Sequence, residues 1–148
     1  MGSPVTGTVI DITEVADPVF AMKLLGDGVA IDPLQSNIYA PCSGKVSAVL
    51  SAGHAIGITS ERGDEILIHL GIDTSRLDKK HIRLFCRQND FVAKGDLIGR
   101  FEYHSLPAGV AATVVMVITN LAGHEHLEKQ VDCNVLAGET IIEIKQGN

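Results

Sequence analysis

At 148 residues, with 45% apolar side chains but only four Phe, two Tyr and no Trp, the chain is sized for one domain whose core is Val, Ile, Leu and Ala. A net charge of −6 excludes the basic footprint that nucleic-acid binding requires, and no apolar run approaches the ~20 residues of a membrane-spanning helix. Cys42, Cys86 and Cys133 are odd in number and lack C-x-x-C spacing, which reads as reduced thiols in a cytoplasmic protein without a leader peptide.

Short β-branched runs separated by Gly, Pro, Asn or Asp predict strands at 7–12, 28–31, 37–39, 44–49, 54–59, 65–70, 97–103, 114–119 and 140–144. Helical character is expected only as a turn or two near 124–129 and another near 106–112. The start Met1-Gly2-Ser3-Pro4-Val5-Thr6 formally fits a myristoylation signal, but Gly2-Ser3 reads better as a cloning scar on a single domain spanning 1–148. The fold class is all-β: an antiparallel sandwich or barrel-sandwich.

Two echoes divide that sandwich into similar halves. Ser3-Pro4-Val5-Thr6-Gly7-Thr8-Val9 returns as Ala40-Pro41-Cys42-Ser43-Gly44-Lys45-Val46. Val92-Ala93-Lys94-Gly95-Asp96-Leu97-Ile98 returns as Val135-Leu136-Ala137-Gly138-Glu139-Thr140-Ile141. Each carries a Pro, or a Gly suited to positive φ, where a strand follows a tight turn. With no linker between them, the halves are expected to wrap around one core.

The chemistry concentrates in His54 and His69, one on each side of the turn Ser60-Glu61-Arg62-Gly63-Asp64. With Glu61-Arg62 as the tip, the two histidines oppose each other directly; with Gly63 in a bulge, the register slips by one and the rings fall on opposite faces. Both faces of 66–70 are apolar, so spacing leaves both arrangements open. Two histidines alone are too few for a complete zinc site, although the nearby acids Glu65 and Asp73 could complete one. The pair His124 and His126 reads as a solvated surface helix, and His81 and His104 carry no assignment. Phosphoryl transfer suits the pair better: a neutral imidazole is a nucleophile near neutral pH, and a second imidazole can donate to phosphoryl oxygens. Ile56, Leu67 and Leu70 are expected to exclude water, and Gly71 to let the backbone approach and fix the His69 tautomer.

Gly26-Asp27-Gly28-Val29-Ala30-Ile31-Asp32-Pro33, Ala40-Pro41-Cys42-Ser43-Gly44, His54-Ala55 and His69-Leu70-Gly71-Ile72-Asp73-Thr74, in this order, resemble the glucose-type IIA component (EIIA) of the bacterial phosphoenolpyruvate:sugar phosphotransferase system. The resemblance implies a cytoplasmic β-sandwich, free-standing or joined to a permease. Such a domain accepts phosphate from HPr and passes it to a IIB cysteine during sugar uptake. It implies His69 as phosphoryl acceptor and His54 as helper on a shared face, with Gly71, Asp73 and Thr74 in support. Asp27 and Asp73 become partner-facing acids, and regulatory targets known for some relatives become further partners. No cofactor is required, although the two histidines can take up zinc incidentally. Two departures stand out: Ala52 replaces the threonine that steadies the helper in many relatives, and the run 77–85 lacks the usual Leu-x-Gly-x-Gly-Phe.

Two rival readings remain. Phe20-Ala21-Met22-Lys23-Leu24 contains the Ala-Met-Lys of biotin- or lipoyl-type carriers, modified at Lys23, although such domains are about half this length. A metal-dependent hydrolase on His54 and His69 lacks a third ligand and a general base at fixed spacing.

Overall fold

The computed structural model describes residues 1–50, 54–72 and 80–147. In chain order the strands are β1 (Gly7–Asp11), β2 (Asp27–Pro33), β3 (Asn37–Tyr39), β4 (Gly44–Val49), β5 (Ala55–Ser60), β6 (Glu65–Ile72), β7 (Ile82–Leu84), β8 (Phe91–Val92), β9 (Leu97–Phe101), β10 (Ala111–Ile118), β11 (Glu125–Lys129), β12 (Cys133–Val135) and β13 (Ile142–Gln146). One-turn helix α1 (Pro18–Ala21) and 3-10 turns at Ile12–Glu14 and Tyr103–Ser105 complete the described elements. Among the described residues every strand pairing is antiparallel. An eight-stranded sheet runs β12-β1-β2-β10-β6-β5-β4-β8, beside a three-stranded β3-β9-β7 and a two-stranded β11-β13.

The strand order is a palindrome about β10 and β6, and the hydrogen bonds obey the same two-fold. Val9 pairs with Ile31 and Val46 with Ile58; Ile31 pairs with Val114 and Ile58 with Ile66. The axis passes through the Met116–Ile68 pair, which maps onto itself. Where the halves cross, Gly2 N–H donates to Pro41 O at 3.0 Å and Tyr39 N–H to Pro4 O at 2.8 Å. The second echo obeys the same operator. Gly95 N–H donates to Ala40 O and Gly138 N–H to Ser3 O, both at 2.9 Å, and φ is +90° at Gly95 and +93° at Gly138. Gly2 and Ser3 belong to the crossing; Ser3 is fully buried and its hydroxyl donates to Val5 O at 2.6 Å.

One face of the large sheet packs on the main core, which includes Val9, Ile31, Ile58, Ile66, Ile68, Leu70, Val114 and Met116. The other face is covered by residues 12–20: Ile12, Val15 and Phe20 pack on Ala30, Ile72, Val115 and Val117. Being buried on both faces explains why β6 and β10 read as continuous apolar runs.

The segment 124–129, expected to be helical, is β11. Its Leu127 pairs with Ile144, whereas Ile82 of β7 pairs with Phe101, so β11 is the two-fold counterpart of β7. Tertiary pairing overrides its weak polar pattern. No helix forms over 106–112; the 3-10 turn lies just before it and Ala111 already belongs to β10. Strands β7, β8 and β12 are too short to show a period, and sequence reading missed them.

Gly7 and Gly44 occupy equivalent crossings where no side chain fits: a Cβ would lie 2.2 Å from Asp32 O at Gly7 and 2.1 Å from Thr59 O at Gly44. We predict that Gly7→Ala and Gly44→Ala each destabilise by at least roughly 1–3 kcal/mol, whereas Gly63→Ala, with no heavy atom within 4 Å, is felt only through its backbone conformation. Urea unfolding of the three variants checks the ranking.

Candidate functional site

The β5–β6 hairpin adopts the slipped register. Ala55, not His54, faces His69, and Ile58 faces Ile66. Ser60 N–H donates to Asp64 O, Gly63 N–H donates to Ser60 O, and Gly63 has φ +101°, so the tip is Glu61-Arg62-Gly63. Glu61-Arg62 cannot supply the positive φ that a two-residue hairpin needs; Gly63 can. The slip was expected to separate the rings, yet their centroids lie 5.1 Å apart at an interplanar angle of 73°. His54 stands one residue before β5, in a bend, so the pleat does not dictate its direction. Its carbonyl still accepts from Leu70 N–H at 2.7 Å, which pins the backbone at the sheet end.

His69 projects from the β6 face opposite Ile68 and Leu70. Its Nδ1 lies 2.6 Å from Gly71 O. A carbonyl only accepts, so Nδ1 carries the proton and Nε2 keeps its lone pair. Gly71 has φ +80°, which turns that carbonyl back toward the ring two residues earlier. Phe20 meets the other side of the imidazole edge-on, centroids 5.2 Å apart. Burial holds His69 below the ordinary imidazole value; the Gly71 hydrogen bond opposes this, the His54 ring adds to it and Asp17 opposes it. Burial likewise lowers His54. Among the described residues His54 Nδ1 is buried without a hydrogen-bond partner.

Ile56 and Leu70, expected to shield the imidazole, pack into the main core on the opposite face; Leu67 borders the second cluster with Phe20. Shielding of His69 falls instead to Phe20 and the segment that carries it. The sequence signal for that segment was Asp17-Pro18: Asp17 Oδ1 caps α1 by accepting from Val19 N–H at 2.9 Å, and Pro18 opens the helix.

The other expected residues scatter. Asp27 begins β2, and its Oδ1 accepts from Lys129 Nζ at 2.6 Å and from Gly28 N–H at 2.9 Å, with Lys23 Nζ 3.5 Å away. Its charge is thus already met inside the molecule, which lessens its pull on a partner's cation. Asp73, Thr74 and Ala52 lie outside the described residues. Glu65 opens β6 four positions from His69, and His124 and His126 belong to the β11 region rather than to a surface helix. Among the described residues no three His, Cys, Asp or Glu side chains assemble as metal ligands. Lys23 follows α1 with its amine beside Asp27, not at a hairpin tip between matching strands. Cys42, pushed by burial to about 11, is a poor nucleophile.

A neutral imidazole with Nδ1 fixed by a carbonyl, Phe20 edge-on against the ring and a second neutral imidazole beside it is equipment for histidine-based group transfer. Residues 1–123 match the family described as phosphoenolpyruvate-dependent sugar phosphotransferase system, EIIA 1. The glucose-specific EIIA component of Halalkalibacterium halodurans is 36% identical over 139 residues, covering 93% of this chain and 80% of that protein. The beta-glucoside-specific EIIBCA component of the same organism is 37% identical over 145 residues, 97% of this chain but only 23% of that longer protein. Among solved structures, glucose permease IIA from Mycoplasma capricolum superposes with a TM-score of 0.86 at 34% identity, covering 95% of this chain and 92% of that one. The chain belongs to the glucose-type EIIA family of the phosphotransferase system.

Both histidines are depressed below their unfolded value of about 6.5, so the unfolded chain binds more protons on acidification. Their contribution to stability is present above that value and lost as pH falls through the folded values. We predict a urea midpoint that drops between pH 7.5 and 5, with the drop reduced in His54→Gln; a pH-independent difference between the two proteins would contradict it.

Proposed function

We propose that this chain carries a phosphoryl group on His69 Nε2, taking it from phospho-HPr and delivering it to a IIB cysteine at the cytoplasmic face of a sugar permease. The supporting observation is the Nδ1–H hydrogen bond to Gly71 O, which leaves Nε2 as the nucleophilic nitrogen. The family is one of phosphoryl carriers in sugar uptake, and relatives that join EIIA to B and C components in one chain support a IIB acceptor.

In the first step Nε2 attacks phosphorus in line; the new N–P bond forms as the bond to the donor's imidazole breaks, and the donor keeps the electron pair. Positive charge then develops on the His69 ring, and the Gly71 carbonyl, already aligned with Nδ1–H, stabilises it. Delivery reverses the sequence: a thiolate attacks phosphorus and the electron pair returns to Nε2. Positioning and electrostatics supply the catalysis. Starting with a low-pKa imidazole keeps the acceptor neutral at working pH.

His54 donates a hydrogen bond to the transferring oxygens. Its unpartnered Nδ1 costs less as a bare lone pair than as a buried N–H, which favours the tautomer protonated on Nε2. Ala52 carries no hydroxyl to fix this tautomer. No cofactor enters the cycle. Zinc at His54 and His69 remains incidental, since two imidazoles leave a tetrahedral ion incomplete. A partner role for Asp73, and regulatory targets beyond the transport chain, rest on the family resemblance.

We expect His69→Gln to take no label from phosphoenolpyruvate in the presence of enzyme I and HPr; labelled His69→Gln would defeat the assignment. His54→Gln is expected to accept phosphate but to pass it to IIB roughly 10²-fold more slowly. Gly71→Ala, strained at φ +80°, is expected to weaken the Nδ1–H bond, visible as a tautomer change in ¹⁵N spectra and as slower labelling.

A further inference from the structure

The two-fold places Asp27 where the other half has His54, and an ion cluster surrounds it that phosphoryl chemistry does not use. Asp27 Oδ1 gathers Lys129 Nζ at 2.6 Å and Gly28 N–H at 2.9 Å, with Lys23 Nζ at 3.5 Å. The Lys129 side chain is only 12% exposed and comes from β11, on a different sheet. Lys23 comes from the end of α1. There Leu24 N–H donates to Val19 O at 3.0 Å and Lys23 N–H to Phe20 O at 2.9 Å, with Lys23 at φ +58°. This is the Schellman ending, whose left-handed position favours glycine. A lysine there carries backbone strain, and what it supplies in return is an amine within reach of Asp27. Phe20, three residues earlier, is 4% exposed and rests edge-on against His69.

We propose that Lys23 and Lys129 are positioning residues for His69, acting through Asp27 to hold α1 and so keep the Phe20 ring against the imidazole. The role of the held ring, though not the holding itself, rests on His69 being the phosphoryl acceptor. Phe20 keeps water from the imidazole before transfer and from the labile N–P bond after it. Asp11, at the end of β1, has its carboxyl pKa lowered mainly by the Thr13 backbone hydrogen bond, with smaller contributions from the charges of Lys129 and Lys23. Both lysines therefore serve more than Asp27, and each is tested beside Asp27 itself.

The test is proton NMR of the full chain together with the lifetime of the phosphorylated form. Phe20→Leu defines the His69 Hε1 shift without the aromatic ring current. Asp27→Asn and Lys129→Gln are expected to move Hε1 toward that value and to shorten the phosphoryl lifetime several-fold; Lys129→Arg is expected to restore both. Lys23→Gly removes the amine while relieving the strained backbone, so it stays folded even where the buried-pair variants do not, and it is expected to move Hε1 in the same direction. Wild-type Hε1 shifts in folded Lys23→Gly and Asp27→Asn would overturn the proposal. If the wild-type chain takes no phosphoryl group from phospho-HPr, the proposed function fails, while the ring-current arm still decides whether the cluster positions Phe20.

Discussion

The molecule depends on a pair of main-chain hydrogen bonds at the place where its halves cross, from Gly2 to Pro41 and from Tyr39 to Pro4. These bonds dock the segments leading into β1 and β4 side by side in opposite directions. Each strand can then extend into the large sheet only one way, with its glycine against the carbonyls of the neighbouring strand. The palindromic order about β10 and β6 and the equivalence of the β3-β9-β7 and β11-β13 flanks share the two-fold of that crossing. A hydrogen bond in such a crossing contributes modestly in itself, but leaving its buried donor unpaired would cost considerably more.

Within this symmetric frame the candidate site is asymmetric. His69 and Val117 are equivalent positions, as are His54 and Asp27. One half therefore carries two imidazoles at the sheet end, and the other carries an apolar residue and a carboxylate bound by lysines. The segment 12–20 lies over one face of the sheet only, and it brings Phe20 to His69. The proposed transfer through His69 needs the imidazole dry enough to stay neutral yet open to large partners. An apolar lid residue on a one-turn helix, capped at both ends, meets both demands without a deep pocket.

Much of this was legible in the sequence. The long β-branched runs became strands, and the two echoes marked the symmetric halves because proline and glycine sit where the crossing admits little else. The two histidines singled out by the motif stand side by side in the structure, their ring centroids 5.1 Å apart. The misses have physical causes. The hairpin register turned on Gly63, whose positive φ makes a three-residue tip better than Glu61-Arg62; the rings still met because His54 lies outside the regular strand. The strand β11 is polar and pairs far along the chain, so only its equivalence to β7 would have revealed it. Asp17-Pro18 was a readable helix start, but the Ala-Met-Lys that follows drew attention to a carrier lysine. The Asp27–Lys129 contact joins residues 102 positions apart, and no local pattern encodes it.

The palindrome is also unevenly threaded along the chain. Strands β3 to β9 form one half from a continuous stretch, whereas the other half joins β1 and β2 to strands β10 to β13. During synthesis from the amino end, the continuous half can close its hairpins as it emerges, His69 included. Strand β2 must wait for β10 before its second edge is covered, and β1 must wait for β12. Strand β6, which carries His69, likewise waits for β10, so the two halves close together only when β10 pairs with both β2 and β6. The Lys129–Asp27 contact comes from a part of the chain that follows β10.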